Sequence, residues 1–322
     1  MKLLWVFLIV ALAGLVACII AWMGNKPVHR ESEMLVVPPP AAADQTALHI
    51  GLVPERDIFQ LRKRYLALTR YLDKRLGRPV DVVTVNTYQA VLQDFAEKKI
   101  DAAFLGSLVA VLTVDRLGAH VLVKPVDEAG VSTYRGVIFV RQDSPIRKIE
   151  DLAGHSIAMV KTTYAGDLFP IWEMHRTDIN HWAAAPRKVW VGTHDEVILE
   201  TLGGRADAGA VKNLRLDAFE ASHPDIKVRR LATSEPVPND AFVVRADLAE
   251  TLGVQLRDIM LAMDKDPEGA KALAGFSAVR FVPCGMEEYA PIYDMLEGLG
   301  DHWDRLGIDG PPPKRPPPAA GR

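Results

Sequence analysis

Residues 159–170, MVKTTYAGDLFP, bring hydroxyls, a glycine and a helix start together within one short stretch. An apolar strand ending at Val160 and a helix beginning near Gly166 leave several backbone N–H groups without intrahelical acceptors, with the positive end of the helix dipole behind them. Such a corner suits an anion. Thr162 and Thr163 add hydroxyl donors, and Gly166 lets a ligand come close to the backbone. The same threonines would equally serve as an ordinary helix cap, so the stretch alone leaves both readings open. No paired general acid and base, metal-ligand cluster or activated nucleophile accompanies it, and His175 and His181 stand too far from other such groups to make one.

The elements that must position this turn follow from hydropathy patterning. Short apolar runs at 49–54, 80–85, 101–105 and 120–126 alternate with helical spacing at 59–76, 88–98 and 108–117. Residues 136–141 read as a strand leaving this first unit. The pattern then repeats: strand 156–160, helix 166–178, strand 188–191, helix 195–203, strand 207–211, helix 214–222 and strand 227–232. After Asp240, a strand and further helices return to the first unit. Alternation of this kind predicts largely parallel sheets covered on both faces. Two such units joined by two crossovers make a hinged ligand trap.

The chain of 322 residues, 49% hydrophobic and 25% charged, can bury a sizeable core. A formal charge of −3 with no basic stripe argues against a nucleic-acid partner. Residues 1–23 are long and apolar enough to be a signal peptide or a membrane anchor. Leu15-Val16-Ala17-Cys18 resembles a bacterial lipoprotein cleavage box, whereas the continuation of the apolar run through Trp22 suits an uncleaved anchor; either tethers the protein. Residues 24–47 form a Pro/Ala-rich linker, and 310–322 a proline-rich tail of spacer character whose Lys314 and Arg315 meet a membrane or nothing. Cys284, the only other cysteine, is expected to be a small buried residue.

The motifs between the tethers resemble those of periplasmic binding proteins for phosphate, phosphite or phosphonate, the receptors of phosphonate-type ABC importers. In order they are Gly51-Leu52-Val53-Pro54-Glu55, Thr87-Tyr88, Asp101-Ala102-Ala103-Phe104-Leu105-Gly106, Asp151-Leu152-Ala153-Gly154, Thr162-Thr163-Tyr164-Ala165-Gly166, Gly192-Thr193-His194-Asp195, Ala206-Asp207-Ala208-Gly209-Ala210 and residues 234–240, SEPVPND. The resemblance implies an α/β, two-lobed periplasmic-binding-protein-like (type II) fold with a cleft between lobes. Residues 48–140 would form the first part of lobe 1, 141–240 lobe 2, and 241–309 the return to lobe 1 with the C-terminal helices.

The resemblance also implies a ligand set. Thr162, Thr163 and Gly166 match the hydroxyl-rich turn that holds phosphoryl oxygens, and His194 matches a histidine that donates to the oxyanion. Asp240 matches a turn aspartate that would accept a P–OH proton and so reject fully ionised sulfate. Tyr88 matches a pocket tyrosine. Ala165 and Ala110 stand where relatives carry a serine and a second tyrosine, and Ala241 where a proline is usual, which implies a roomier pocket that Tyr164 would partly refill. The implied function is the substrate-binding component of an ABC importer, a monomer without cofactor or metal that closes on a phosphorus oxyanion and delivers it to a membrane permease. The alternative is a membrane-tethered sensor of the same ligand, signalling to a partner protein. An enzyme is disfavoured for want of catalytic groups.

Overall fold

The computed structural model describes residues 47–52, 58–85, 87–179 and 185–316. The expected signal or anchor, the lipidation candidate Cys18 and most of the linker lie outside the described residues, as do residues 317–322 of the tail. Among the described residues no helix is long and apolar enough to cross a membrane.

The first half of the chain runs β1 (Leu48–Leu52), α1 (Ile58–Leu76), β2 (Val80–Thr84), α2 (Tyr88–Ala96), β3 (Ala102–Leu105), α3 (Ser107–Leu117) and β4 (His120–Val126). A two-residue strand β5 (Thr133–Tyr134) then leads into β6 (Gly136–Arg141), β7 (Ser156–Val160), α4 (Phe169–Arg176), β8 (Arg187–Val191), α5 (His194–Leu202), β9 (Ala208–Lys212), α6 (Asn213–Ser222) and β10 (Val228–Thr233). The return passes through β11 (Val237–Pro238) to β12 (Ala241–Val244), α7 (Val254–Leu261), α8 (Pro267–Gly275), β13 (Arg280–Pro283) and α9 (Ala290–Leu299).

These strands form two sheets, ordered β13-β4-β12-β3-β1-β2 and β10-β6-β9-β7-β8, and a third of two strands in which β5 and β11 pair antiparallel. β5 and β11 are the two crossovers, so the lobes are linked by a hydrogen-bonded pair of strands. Each sheet is mixed, with most of its strands running one way as expected and a minority reversed. In the first, β2, β1, β3 and β4 run the same way, while β12 enters antiparallel between β3 and β4 and β13 pairs antiparallel with β4. A strand that returns from the other lobe must enter from the crossover edge, which forces it to run against its neighbours. In the second sheet, β8, β7, β9 and β10 run the same way, and β6, the strand arriving from the crossover, lies antiparallel between β9 and β10 for the same reason.

Three expected boundaries differ. Residues 136–141 belong to the second sheet, because the chain has already crossed at β5; five of the six residues of β6 are buried there between β9 and β10. α9, expected to return wholly to lobe 1, packs on α4 of lobe 2, where Gly298 leaves room for Trp172: a Cβ at Gly298 would meet that indole at 2.4 Å. The start of the tail is no spacer. Asp309 accepts from Arg116 at the end of α3, the Lys314 N–H donates to Asp115 Oδ1 at 3.3 Å, and Arg315 pairs with Asp294 of α9. Pro313 is buried beneath them.

Candidate functional site

The register of the second sheet decides which loops meet. Because β7, β8 and β9 are parallel, their carboxyl ends lie along one edge, and this edge carries Thr162-Thr163 after β7, Thr193-His194 after β8 and Lys212 at the end of β9. In the first sheet, Ala241 pairs with Leu105, so Asp240 sits beside the carboxyl end of β3. Ligands of open α/β sheets gather at such edges. The crossover strands bring the two together. Ser107 Oγ at the start of α3 donates to Pro238 O of β11 at 2.7 Å and lies 3.1 Å from the Tyr134 hydroxyl of β5. Tyr134 meets Tyr164 edge-on, ring centroids 6.0 Å apart, and Lys212 Nζ stands 4.7 Å from the Tyr134 ring centroid and 2.9 Å from Asp240 Oδ1.

The turn after β7 is built differently from the expected cradle. Thr163 is the helix N-cap: its hydroxyl accepts from the Gly166 N–H at 3.1 Å and donates to Val160 O at 2.9 Å, so both of its ordinary roles are filled within the turn. Gly166 is required by packing, since a Cβ there would meet Thr163 Oγ1 at 2.8 Å and Val160 N at 3.0 Å; what approaches its backbone is the chain itself. The first helical residues, Tyr164 and Ala165, retain N–H groups for which a helix start offers no intrahelical acceptor. Thr162 is buried with φ of 59°, a left-handed conformation that is an outlier for a β-branched residue and costs on the order of 1–3 kcal/mol. Its N–H donates to Asp167 Oδ2 at 2.8 Å, which holds it there. Burial pushes the Asp167 carboxyl up to about 7, and its Oδ1 is buried with no hydrogen-bond partner among the described residues.

His194 opens α5 behind the N-cap Thr193, whose hydroxyl accepts from the Glu196 N–H at 3.2 Å while Glu196 Oε2 accepts from the N–H groups of Gly192 and Thr193. A carboxylate of the chain therefore already occupies this helix start, and the element's offering to a ligand is the imidazole. That ring is buried, and neither nitrogen has a hydrogen-bond partner among the described residues. Desolvation, then the charges of Lys212 and Arg215, push its pKa down to about 3, against the smaller opposing pull of Asp195 and Asp240. At neutral pH it is uncharged, one nitrogen a donor and the other an acceptor.

Of the expected residues, the structure thus gathers Thr162, Thr163, Gly166, His194 and Asp240 about the crossovers. Tyr88 begins α2 after the N-cap Thr87, also at a carboxyl end of the first sheet, and its side chain lies outside the described residues. Tyr164 does not refill a pocket: its hydroxyl donates to Glu235 O at 3.1 Å against the crossover. Lys212 is the residue that sequence reasoning missed. Its signal was the one used for the threonines, a polar residue ending a buried strand, here AGAVK with all five residues buried. Among the described residues no group of three or more His, Cys, Asp or Glu is placed to hold a metal.

The family model for "ABC transporter, phosphonate, periplasmic substrate-binding protein" matches residues 50–289. The phosphonates-binding periplasmic protein of Escherichia coli K12 is 25% identical over 241 residues, 73% of this chain and 71% of that protein. Among solved structures, a Xanthomonas citri protein bound to chloride superposes with a TM-score of 0.69 at 21% identity, covering 80% of this chain and 99% of the other. A Prochlorococcus marinus protein in complex with methylphosphonate gives 0.66 at 20% identity, covering 79% and 98%. These likenesses carry the two-lobed type II fold.

Proposed function

We propose, from the premise that this chain belongs to the family of periplasmic substrate-binding proteins of phosphonate ABC transporters, that it captures a small phosphorus oxyanion between its lobes and passes it to a membrane permease. The observation that carries this reading is His194: a buried, neutral imidazole at a sheet's carboxyl edge with both nitrogens unpartnered among the described residues. A group so desolvated is costly unless something bonds to it. An oxyanion accepts from its N–H, and a P–OH, where the ligand has one, donates to its other nitrogen. The Thr162 hydroxyl and the N–H groups of Tyr164 and Ala165 supply further donors from the adjacent turn, with Thr163, Gly166 and Asp167 holding that turn in shape.

The β5–β11 pair is the natural hinge, since it links the lobes and each of its strands is two residues long. Residues 1–23, as an acylated Cys18 or an uncleaved anchor, would keep the receptor beside the permease on the periplasmic side; mass spectrometry of the mature N-terminus separates the two.

Calorimetric titration with phosphate, phosphite and methylphosphonate tests the ligand class. Heat with at least one of them, weakened at least about tenfold by His194→Ala, is expected from the loss of one good hydrogen bond and the space left by the ring. Absence of heat and of any thermal shift with all three would reject it.

A further inference from the structure

A lysine ends β9 where the two sheets' carboxyl edges meet, and its environment is that of a ligand-binding group. Lys212 is 4% exposed, with Nζ 2.9 Å from Asp240 Oδ1 and 4.7 Å from the Tyr134 ring centroid. Lysine is almost never this buried without a partner. Here the partner comes from the other side of the crossover: Lys212 belongs to the second sheet, Asp240 immediately precedes β12 of the first. Asp240 adopts the left-handed region with φ of 50°, a backbone conformation that aspartate tolerates and that aims its carboxylate from the turn. The unpartnered His194 ring opens α5 at the same carboxyl edge of this sheet that Lys212 ends on.

This pairing alters what Asp240 asks of a ligand. A lone carboxylate beside an anion site is an acceptor that only a protonated ligand satisfies. With Lys212 on Oδ1, that demand is met in part and the carboxylate's charge is balanced, so a proton on the ligand is no longer required. We propose, resting on the phosphorus-oxyanion reading above, that Lys212 contacts the bound oxyanion and sets its protonation state: the site takes the fully ionised species, and fully ionised sulfate is not excluded. The other charges around the imidazole, Arg215 and Asp195, form a second pair, Arg215 Nε donating to Asp195 Oδ1 at 3.0 Å, but it is the more exposed of the two and water screens it. The Lys212–Asp240 pair is therefore the charged element whose balance a ligand changes.

The test is methylphosphonate affinity at pH values on either side of the ligand's second ionisation, for the full chain and for Lys212→Met and Lys212→Arg, with sulfate as competitor. The wild-type protein and Lys212→Arg are expected to bind more tightly on the alkaline side and to release methylphosphonate to sulfate. Lys212→Met is expected to lose about tenfold to a hundredfold in affinity on the alkaline side, the range for one charge-assisted hydrogen bond, and to become indifferent to sulfate. Tighter wild-type binding on the acid side, with no displacement by sulfate, overturns the proposal even if Lys212→Met fails to fold. Unchanged affinity of Lys212→Met on the alkaline side overturns it too. Both outcomes leave the receptor reading standing, whereas wild-type protein that binds none of these anions at either pH removes that reading and this one together.

Discussion

Replacing His194 by glutamine removes a titrating group from the site, and the consequence for stability follows from the burial of the ring. In the folded protein its pKa is pushed down from 6.5 to about 3, so the native state declines a proton that the unfolded chain accepts. The folded value lies below the unfolded one, and the neutral ring is therefore compatible with full stability above about pH 6.5 and loses stability as pH falls toward about 3. Each pH unit in that window is worth about 1.4 kcal/mol. Between about pH 8 and about pH 5 the wild-type protein should thus lose on the order of 2 kcal/mol more than His194→Gln, since about 1.5 pH units of the window are crossed. Urea denaturation of both proteins at the two pH values reads this difference directly from the midpoints, provided the slopes agree. The comparison of pH slopes, not of absolute stabilities, isolates the ring from whatever the glutamine itself does. A saturating oxyanion beside the ring favours its protonated form, so adding ligand should shrink the wild-type slope. Parallel pH profiles for wild type and His194→Gln would refute the claim that this imidazole is held neutral and unpartnered.

How far the sequence revealed this site can be read from individual residues. The strand endings were legible because apolar runs stop where polar residues begin, and that placed Thr162-Thr163 and His194 at neighbouring loops once parallel pairing was assumed. What each side chain does there was not legible. Thr163 differs from Thr162 by one position, yet it closes the cap while its neighbour takes the strained conformation, a division set by Asp167 five residues on reaching back to the Thr162 N–H. Hydropathy patterns report burial, not such local bonding. Lys212 was hidden for another reason: its partner Asp240 is 28 residues away and comes from the other sheet. The reversed strands were illegible on the same ground, because strand direction follows from where the chain crosses, and β5 and β11 are too short to show a period.

Three further substitutions probe the turn after β7. Thr163→Ala removes the N-cap and is expected to lower stability by about 1 kcal/mol in urea denaturation; no loss would mean that the cap is dispensable. Thr162→Gly relieves a β-branched residue at φ of 59° and should raise stability by about 1 kcal/mol while weakening oxyanion binding in calorimetry, a combination that an ordinary surface turn would not give. Asp167→Asn separates the fixed role of this side chain from its charge, because the amide oxygen can still accept the Thr162 N–H. The carboxyl's pKa is raised from 3.8 to about 7, so the native state holds a proton that the unfolded chain has released; its stability is complete below about 3.8 and declines as pH rises to about 7. Asn carries no such decline. The variant should match wild type near pH 4 and exceed it increasingly up to about pH 7, with an upper limit on the order of 4 kcal/mol. A stability difference that stays constant with pH would show that Asp167 is ionised in the folded protein at no cost, and that its buried Oδ1 has a partner in solution.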